Sequence, residues 1–191
     1  MGELGGSGAV MHDFHTSLAK SHAAEDLPIW EQIYKKGFPN YIGMHSHRQD
    51  GPHQRAGVDR SVILSGSKQI LIDEKVRFRN YGDILLEYLS SREHGTPGWV
   101  CKPLLADYIA YAILAAGRCY LLPVIQLQGA WAQNKDSWLA TYASVEAKNN
   151  GWTTVSCPVP EGPLFRAIGS CLRISFDIPR ESKPVQMDLG W

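Results

Sequence analysis

The feature that most constrains the fold of this chain is a pair of short, β-branched segments separated by a glycine-containing turn. Residues 58–64 and 69–77 have the apolar, branched composition of strands, and Gly66-Ser67 lies between them. Two such segments joined by a tight turn predict an antiparallel hairpin. We therefore expect a fold built around a β-sheet that contains this hairpin.

Patterns on both sides of the hairpin predict a mixture of helices and strands. Helices are predicted over residues 11–36, with the clearest pattern at 27–36, and at residues 103–117 and 131–142. Further strands are predicted at residues 83–89, 119–127, 152–157 and 171–176. The order α-β-β-β-α-β-α with a small C-terminal β appendix predicts the α/β (α+β) class, with a mixed central sheet flanked by helices. We expect residues 1–10, rich in glycine, to be a flexible leader and residues 11–191 to form a single domain.

Composition excludes several classes of protein. The 191 residues include 19 basic and 19 acidic side chains, and 44% are hydrophobic. These values exclude a disordered chain and a strongly basic nucleic-acid-binding domain. No apolar segment approaches the roughly 20 residues that span a bilayer, so no membrane partner is expected. The four cysteines are far apart, which argues against a disulfide framework or a zinc knuckle and favours a reducing, cytoplasmic location.

The second strand of the hairpin carries an unusual set of charges. Because side chains alternate along a strand, Asp73 and Lys75 share one face while Glu74 lies on the other. Asp59, on the preceding strand, is expected to lie across from them. Buried carboxylates need a partner or a metal, and hard oxygen ligands suit Mg²⁺ or Mn²⁺.

This arrangement resembles the PD-(D/E)XK nuclease superfamily, which has the restriction-endonuclease-like α-β-β-β-α-β core. Val58-Asp59 stands at the first motif position and Asp73-Glu74-Lys75 at the second. Two other acid-x-Lys tripeptides, Glu146-Ala147-Lys148 and Glu181-Ser182-Lys183, have no preceding strand that bears an acid. The resemblance covers about residues 26–127, and valine replaces the proline of the motif.

The resemblance implies a Mg²⁺- or Mn²⁺-dependent DNA endonuclease. Asp59, Asp73 and the backbone carbonyl of Glu74 would hold the metal, and Lys75 would position or deprotonate the attacking water. A glutamate from the first helix would complete the site, either Glu31 or Glu25. A homodimer is expected because both strands of a duplex must be cut.

Other side chains are candidates for contacts with the substrate. Gln54, Arg55 and Arg60 flank the first acid and are expected either to bind phosphate or to lie in a solvated loop. Arg77 contributes to a locally basic face, and Tyr111 is expected to be either a substrate contact or a core residue of the helix at 103–117. Glu87 is expected either to pair with Arg77 or Arg79 across the strands or to join the metal site as an outer carboxylate.

Two alternatives to the nuclease remain open at this point. The chain could be a non-catalytic nucleic-acid-binding or assembly protein with the same fold, or Asp59, Asp73 and Lys75 could form a plain ion-pair cluster. The polar stretch that holds His45, His47 and His53 is interpreted as solvated, because a zinc site needs further ligands.

Overall fold

The computed structural model describes residues 28–47 and 50–178. The described residues form four α-helices: α1 (Ile29–Gly37), α2 (Gly51–Arg55), α3 (Val124–Thr141) and α4 (Glu161–Ile168). A 3₁₀ turn spans Leu114–Ala116. There are ten strands: β1 (Tyr41–Ser46), β2 (Arg60–Leu64), β3 (Lys68–Arg77), β4 (Asp83–Ser91), β5 (Thr96–Pro97), β6 (Tyr108–Ile113), β7 (Arg118–Pro123), β8 (Val145–Lys148), β9 (Thr153–Pro160) and β10 (Leu172–Ser175).

Six strands form the main sheet, in the order β1-β2-β3-β6-β7-β10. The predicted hairpin is confirmed, since β2 and β3 pair in antiparallel register with Ser61 opposite Leu71. Gly66 and Ser67 in its turn have φ angles of 76° and 58°, a region that glycine enters without strain. Strand β3 pairs with β6 in parallel, so the main sheet is mixed and the predicted α/β class is confirmed.

The second sheet contains four antiparallel strands, in the order β5-β4-β9-β8. The main sheet separates two hydrophobic cores. One core packs Trp30 and Ile33 of α1 against Ala110 and Ala112 of β6. The other core joins Ile109 and its neighbours on β6 to the second sheet, α3 and α4. The face of the main sheet that carries Ile109 therefore lies against the second sheet.

The helix predicted at residues 103–117 is wrong, because residues 108–113 form the central strand β6. Both faces of β6 are covered, and Ile109, Ala110, Tyr111 and Ala112 are all buried. A strand that is apolar on both faces also has apolar residues at helical spacing, so periodicity cannot distinguish the two structures. The strand predicted at 119–127 likewise ends at Pro123, where α3 begins.

The order of elements consequently differs from the predicted α-β-β-β-α-β core. Strand β4, predicted as the third strand of the central sheet, belongs to the second sheet. In the described residues, the chain between the parallel strands β3 and β6 contains β4 and β5 where a helix was expected. This places an acid-bearing strand of the second sheet beside the hairpin.

Two further expectations concern membrane-spanning helices and disulfide bonds. Within residues 28–47 and 50–178, no helix combines the length and the apolar character needed to cross a membrane. All four cysteines lie in the described part of the chain, and none of them forms a disulfide. The predicted leader, residues 1–10, and the part of the first predicted helix before residue 28 lie outside the described residues.

Candidate metal-binding carboxylate site

Strand β3 presents two acids to opposite sides of the main sheet. In the parallel register Asp73 lies opposite Ile109, and Glu74 lies opposite Ala110. Asp73 therefore shares the face that meets the second sheet, while Glu74 shares the face that meets α1. The alternation predicted for Asp73 and Glu74 is confirmed.

Asp59 is fixed at the entrance to β2 by three hydrogen bonds. Its backbone N–H donates to the carbonyl of Ile72 (2.9 Å), and its own carbonyl accepts from the N–H of His47 (2.9 Å). Its carboxylate accepts from the N–H of Glu74 at 2.8 Å. The residue that follows Asp73 thus holds the Asp59 carboxylate against β3.

The carboxyl of Asp73 meets both Asp59 and Lys75. It forms an ion pair with the Lys75 ammonium, and only 3% of the residue is exposed. Burial raises the pKa of Asp73, attraction to Lys75 opposes the rise, and the charge of Asp59 and a hydrogen bond with it add to it. The result is a pKa of about 7, far above the ordinary 3.8. Near neutral pH the carboxyl of Asp73 is therefore protonated for part of the time.

Lys75 remains an ammonium in this environment. Burial lowers its pKa, but attraction to Asp73 and Asp59, the hydrogen bond with Asp73 and the charge of Glu87 outweigh that effect, so the net direction is upward. A lysine with a raised pKa is a poor general base. Its chemistry at this site is to hold oxygen atoms and to stabilise negative charge.

Glu87 is a functional candidate for which the sequence left two roles open, a pair with Arg77 or Arg79 and a place at the metal site. The positive charges that act on its pKa are those of Lys75 and Lys102, which favours the second role. Burial raises the pKa of Glu87, and these two lysines and the N–H of Trp99 lower it, with a net rise. Glu87 brings a third carboxylate to the Lys75 side of the main sheet.

The local structure of β4 orients Glu87. The pairing of β4 with β9 shifts register between Glu87 and Leu89, which marks an irregularity of the kind that re-aims side chains. Gly98 packs directly on the backbone of Glu87, and a Cβ at that position would overlap the carbonyl of Glu87. No sequence pattern predicted this contact, because it depends on how β4 and the following loop fold together.

On the other face, Glu74 is neutralised by a buried network. Its carboxylate accepts from Arg60 Nε at 2.6 Å and Nη2 at 3.2 Å, and from the Tyr34 hydroxyl at 2.5 Å. Arg60 is 9% exposed. Arg60 was expected either to bind phosphate or to lie in a solvated loop, but it is a buried partner of Glu74 at the start of β2. The Glu74 side chain also points away from Asp73, which leaves only its backbone carbonyl as a metal ligand.

The remaining predicted residues lie outside the carboxylate cluster. Glu31 is half exposed on α1 and pairs with Lys35 at 2.8 Å. Arg77 donates to the Asp83 carbonyl at 2.9 Å and pairs with the Asp83 carboxylate. Arg55 is exposed at the end of α2.

Tyr111 is a buried core residue of β6, and its hydroxyl accepts from the N–H of Leu85 at 3.2 Å. The structure therefore favours a role for Tyr111 in the core over a contact with the substrate. Glu25 and the side chain of Gln54 lie outside the described residues.

Comparisons with known proteins identify no relative. No protein-family model matches the chain, and neither a curated protein nor a solved structure matches it. The resemblance to the PD-(D/E)XK nucleases therefore rests on Asp59, Asp73 and Lys75 alone.

Proposed function

We propose that the protein is a metal-dependent phosphodiesterase that hydrolyses DNA. One observation carries the proposal: the carboxyls of Asp59 and Asp73 meet beside Lys75, and burial together with the neighbouring acid raises the pKa of Asp73 to about 7. Two acids and one ammonium leave a negative surplus once both acids ionise. A divalent cation offsets that surplus, and the same three residues carry the resemblance to the PD-(D/E)XK nucleases.

The donor set fits Mg²⁺ or Mn²⁺. Asp59 and Asp73 would hold the ion, with the backbone carbonyl of Glu74 as a third ligand. Sites for Mg²⁺ use one or two carboxylates and leave several positions to water or to phosphate oxygens. When bound, such an ion lowers the pKa of water and neutralises charge on the phosphate.

Lys75 would act as a positioning and charge-stabilising group. Its ammonium is anchored by Asp73 and lies within the field of Glu87. Because the pKa of Lys75 is raised, it would donate hydrogen bonds to the attacking water and to the phosphate oxygens without removing a proton. Glu87, whose carboxylate accepts from the N–H of Trp99, would keep the ammonium in place.

DNA binding would depend on a few local cations. Lys102 lies close enough to Glu87 to lower its pKa, and Arg55 is exposed on the segment that leads to Asp59. The chain as a whole has no net charge. Affinity for DNA should therefore be modest and strongly dependent on the divalent cation.

Two further predictions belong to the same proposal. A homodimer would supply two sites to a duplex whose strands must both be cut. A cytoplasmic location is proposed as well, from the wide spacing of the four cysteines in the sequence.

The proposal is tested by cleavage of supercoiled, branched and single-stranded DNA with Mg²⁺ or Mn²⁺. We expect Lys75→Ala and Asp73→Asn to lower the rate by at least about 100-fold. Lys148→Ala is the matched control: Glu146-Ala147-Lys148 has the same acid-x-Lys spacing, but it lies on the exposed strand β8. This variant should cleave at the wild-type rate.

Three outcomes would contradict the proposal. Equal cleavage by the wild type and by Lys75→Ala would trace the activity to a contaminant. Cleavage that persists in the presence of EDTA would exclude the metal. Metal-dependent DNA binding without cleavage of any substrate would favour a non-catalytic nucleic-acid-binding protein.

A further inference from the structure

A second group of potential metal ligands lies in the segment between β1 and β2. It consists of His47, Asp50 and His53, whose ligand atoms all lie within 4.8 Å of one another. Within residues 28–47 and 50–178, no other trio of His, Cys, Asp or Glu meets this spacing. The group shares no side chain with the carboxylate site.

Both imidazole rings direct the same nitrogen toward one carboxylate oxygen. Asp50 Oδ2 lies 2.6 Å from His53 Nδ1 and 3.9 Å from His47 Nδ1. The rings are stacked, with centroids 4.2 Å apart and an interplanar angle of 12°. Two ligands on a tetrahedral ion with bonds of about 2.0 Å lie roughly 3.3 Å apart. The 2.6 Å contact is a hydrogen bond between His53 and Asp50, whereas 3.9 Å is too long for one. A bound ion would therefore replace this hydrogen bond and turn one of the stacked rings toward itself.

Two further contacts, one to Ser61 and one within the trio, hold the side chains in this orientation. The other ring nitrogen of His47, Nε2, lies 2.6 Å from the hydroxyl of Ser61, which is almost fully buried on β2. Metal-bound histidines commonly use their second nitrogen in this way, which fixes the ring. The other oxygen of Asp50, Oδ1, accepts from the backbone N–H of His53 at 3.4 Å. Each of these contacts leaves the ligand atom itself directed into the group.

The group is open on one side. His47 is 8% exposed, while the side chains of Asp50 and His53 are about 40% exposed. A cation therefore has an entry path and room for a water as the fourth ligand. Three protein ligands with an open position form a recurrent zinc arrangement.

We propose that His47, Asp50 and His53 bind one divalent cation of the zinc class. Two imidazoles and one carboxylate favour zinc, cobalt or nickel over magnesium, which prefers oxygen ligands throughout. This site is distinct from the proposed Mg²⁺ site in both its residues and its chemistry.

A bound metal ion would restrain the segment between β1 and β2, which leads to Asp59. The N–H of Asp50 donates to the carbonyl of His47 (2.8 Å), and the N–H of Val58 donates to the carbonyl of His53 (3.0 Å). The N–H of His47 donates in turn to the carbonyl of Asp59 (2.9 Å). A cation held by these three side chains would restrain this segment and, through the His47 N–H, the backbone of Asp59.

The test measures Zn²⁺ by mass spectrometry after dialysis and uses the visible absorption of Co²⁺ as a probe of geometry. We expect one Zn²⁺ per chain, the absorption of tetrahedral or five-coordinate Co²⁺, and a higher melting temperature with Zn²⁺. Asp50→Asn and His53→Gln should each weaken Zn²⁺ binding more than about tenfold. These two residues are half exposed, so the substitutions should leave the fold intact.

Two control variants separate this site from its surroundings. His45→Ala removes a neighbouring imidazole that lies outside the trio, with its ring centroid 5.1 Å from that of His47, and should leave Zn²⁺ binding unchanged. Asp73→Asn should also retain Zn²⁺, because it alters only the carboxylate site. Retention in this variant would support the zinc site whether or not the chain cleaves DNA.

Other outcomes would overturn the proposal. Wild-type protein that binds no Zn²⁺ at micromolar concentrations would exclude the site. Binding that survives both Asp50→Asn and His53→Gln would place the ion elsewhere. Loss of Zn²⁺ in Asp73→Asn with retention in His53→Gln would assign the ion to the carboxylates.

Discussion

The two faces of β3 differ in the charged groups that surround their acidic side chains. Glu74 is matched by the Arg60 guanidinium and the Tyr34 hydroxyl, and the network is closed beneath α1. Asp73, the preceding residue, faces another acid, Asp59, and a lysine whose charge is shared with Glu87. A matched buried pair is a structural element, whereas crowded acids beside one lysine form a site that a cation can complete.

The largest expected effect concerns the structural face of β3, on which Glu74 contacts Arg60 and Tyr34. Glu74→Ala leaves the Arg60 guanidinium buried without its carboxylate, which should lower the free energy of unfolding by about 3–5 kcal/mol. Glu146→Ala is the matched control, since Glu146 forms an ion pair with Arg92 at the exposed surface. That change should cost far less stability than Glu74→Ala, because solvent screens an exposed ion pair. Urea denaturation measures both, and equal losses would remove the distinction between the buried and exposed pairs.

The pH dependence of stability should test the crowded face of β3, on which Asp73 meets Asp59 and Lys75. The folded-state pKa of Asp73 is about 7 and its ordinary value is 3.8, so folded Asp73 holds a proton that the unfolded chain releases between these values. The contribution of Asp73 to the free energy of unfolding is therefore greatest below pH 4 and is lost as the pH rises to 7. At about 1.4 kcal/mol for each pH unit, the loss from pH 5 to pH 7 is about 2–3 kcal/mol.

Asp73→Asn isolates this contribution from the other groups that titrate in the same range. The variant should lose less stability than the wild type between pH 5 and pH 8 when no metal is present, as urea denaturation at each pH would show. Saturating Mg²⁺ should reduce the loss in the wild type. Parallel pH profiles of the two proteins would contradict the raised pKa of Asp73.

A smaller effect tests the contribution of the second sheet to the crowded face. Gly98→Ala places a methyl group against the backbone carbonyl of Glu87, and we expect a loss of about 2 kcal/mol from the shift this requires. Because Glu87 moves, DNA cleavage should fall even where the protein remains folded. Gly129→Ala on α3, where a methyl group meets open space, should have wild-type activity and equal or greater stability. Unchanged cleavage in Gly98→Ala would remove Glu87 from the site.

The smallest effect returns to the structural face. Tyr34→Phe removes one hydrogen bond from Glu74 and retains the pair with Arg60, so it should cost about 1–2 kcal/mol. Tyr41→Phe, at a half-buried position on β1, should change stability by less than about 0.5 kcal/mol. Both variants should cleave DNA at the wild-type rate under conditions where they are folded. Loss of cleavage in Tyr34→Phe would show that the face beneath α1 also takes part in function.

The sequence by itself determined the hairpin and the side-chain alternation along β3. A glycine turn between β-branched segments and the two-residue period of a strand are local properties, so they separate Asp73 and Lys75 from Glu74 without any knowledge of the fold. The spacing of His47, Asp50 and His53, three residues apart each time, was also visible. The sequence alone favours a solvated stretch, because a zinc site needs further ligands, and Asp50 lies near both histidines only when backbone hydrogen bonds close the loop.

Tertiary structure decided the rest. Residues 108–113 became a strand because both of their faces are covered, a condition that a single sequence expresses as apolar residues at either period. Pairing across the hairpin brought Arg60 to Glu74 and removed it from the solvent. The second sheet brought Glu87 toward Lys75 and left Glu31 on the solvent side of α1. Which charges meet across sheets depends on packing between distant segments, and this is why the site could be located from the sequence but not completed.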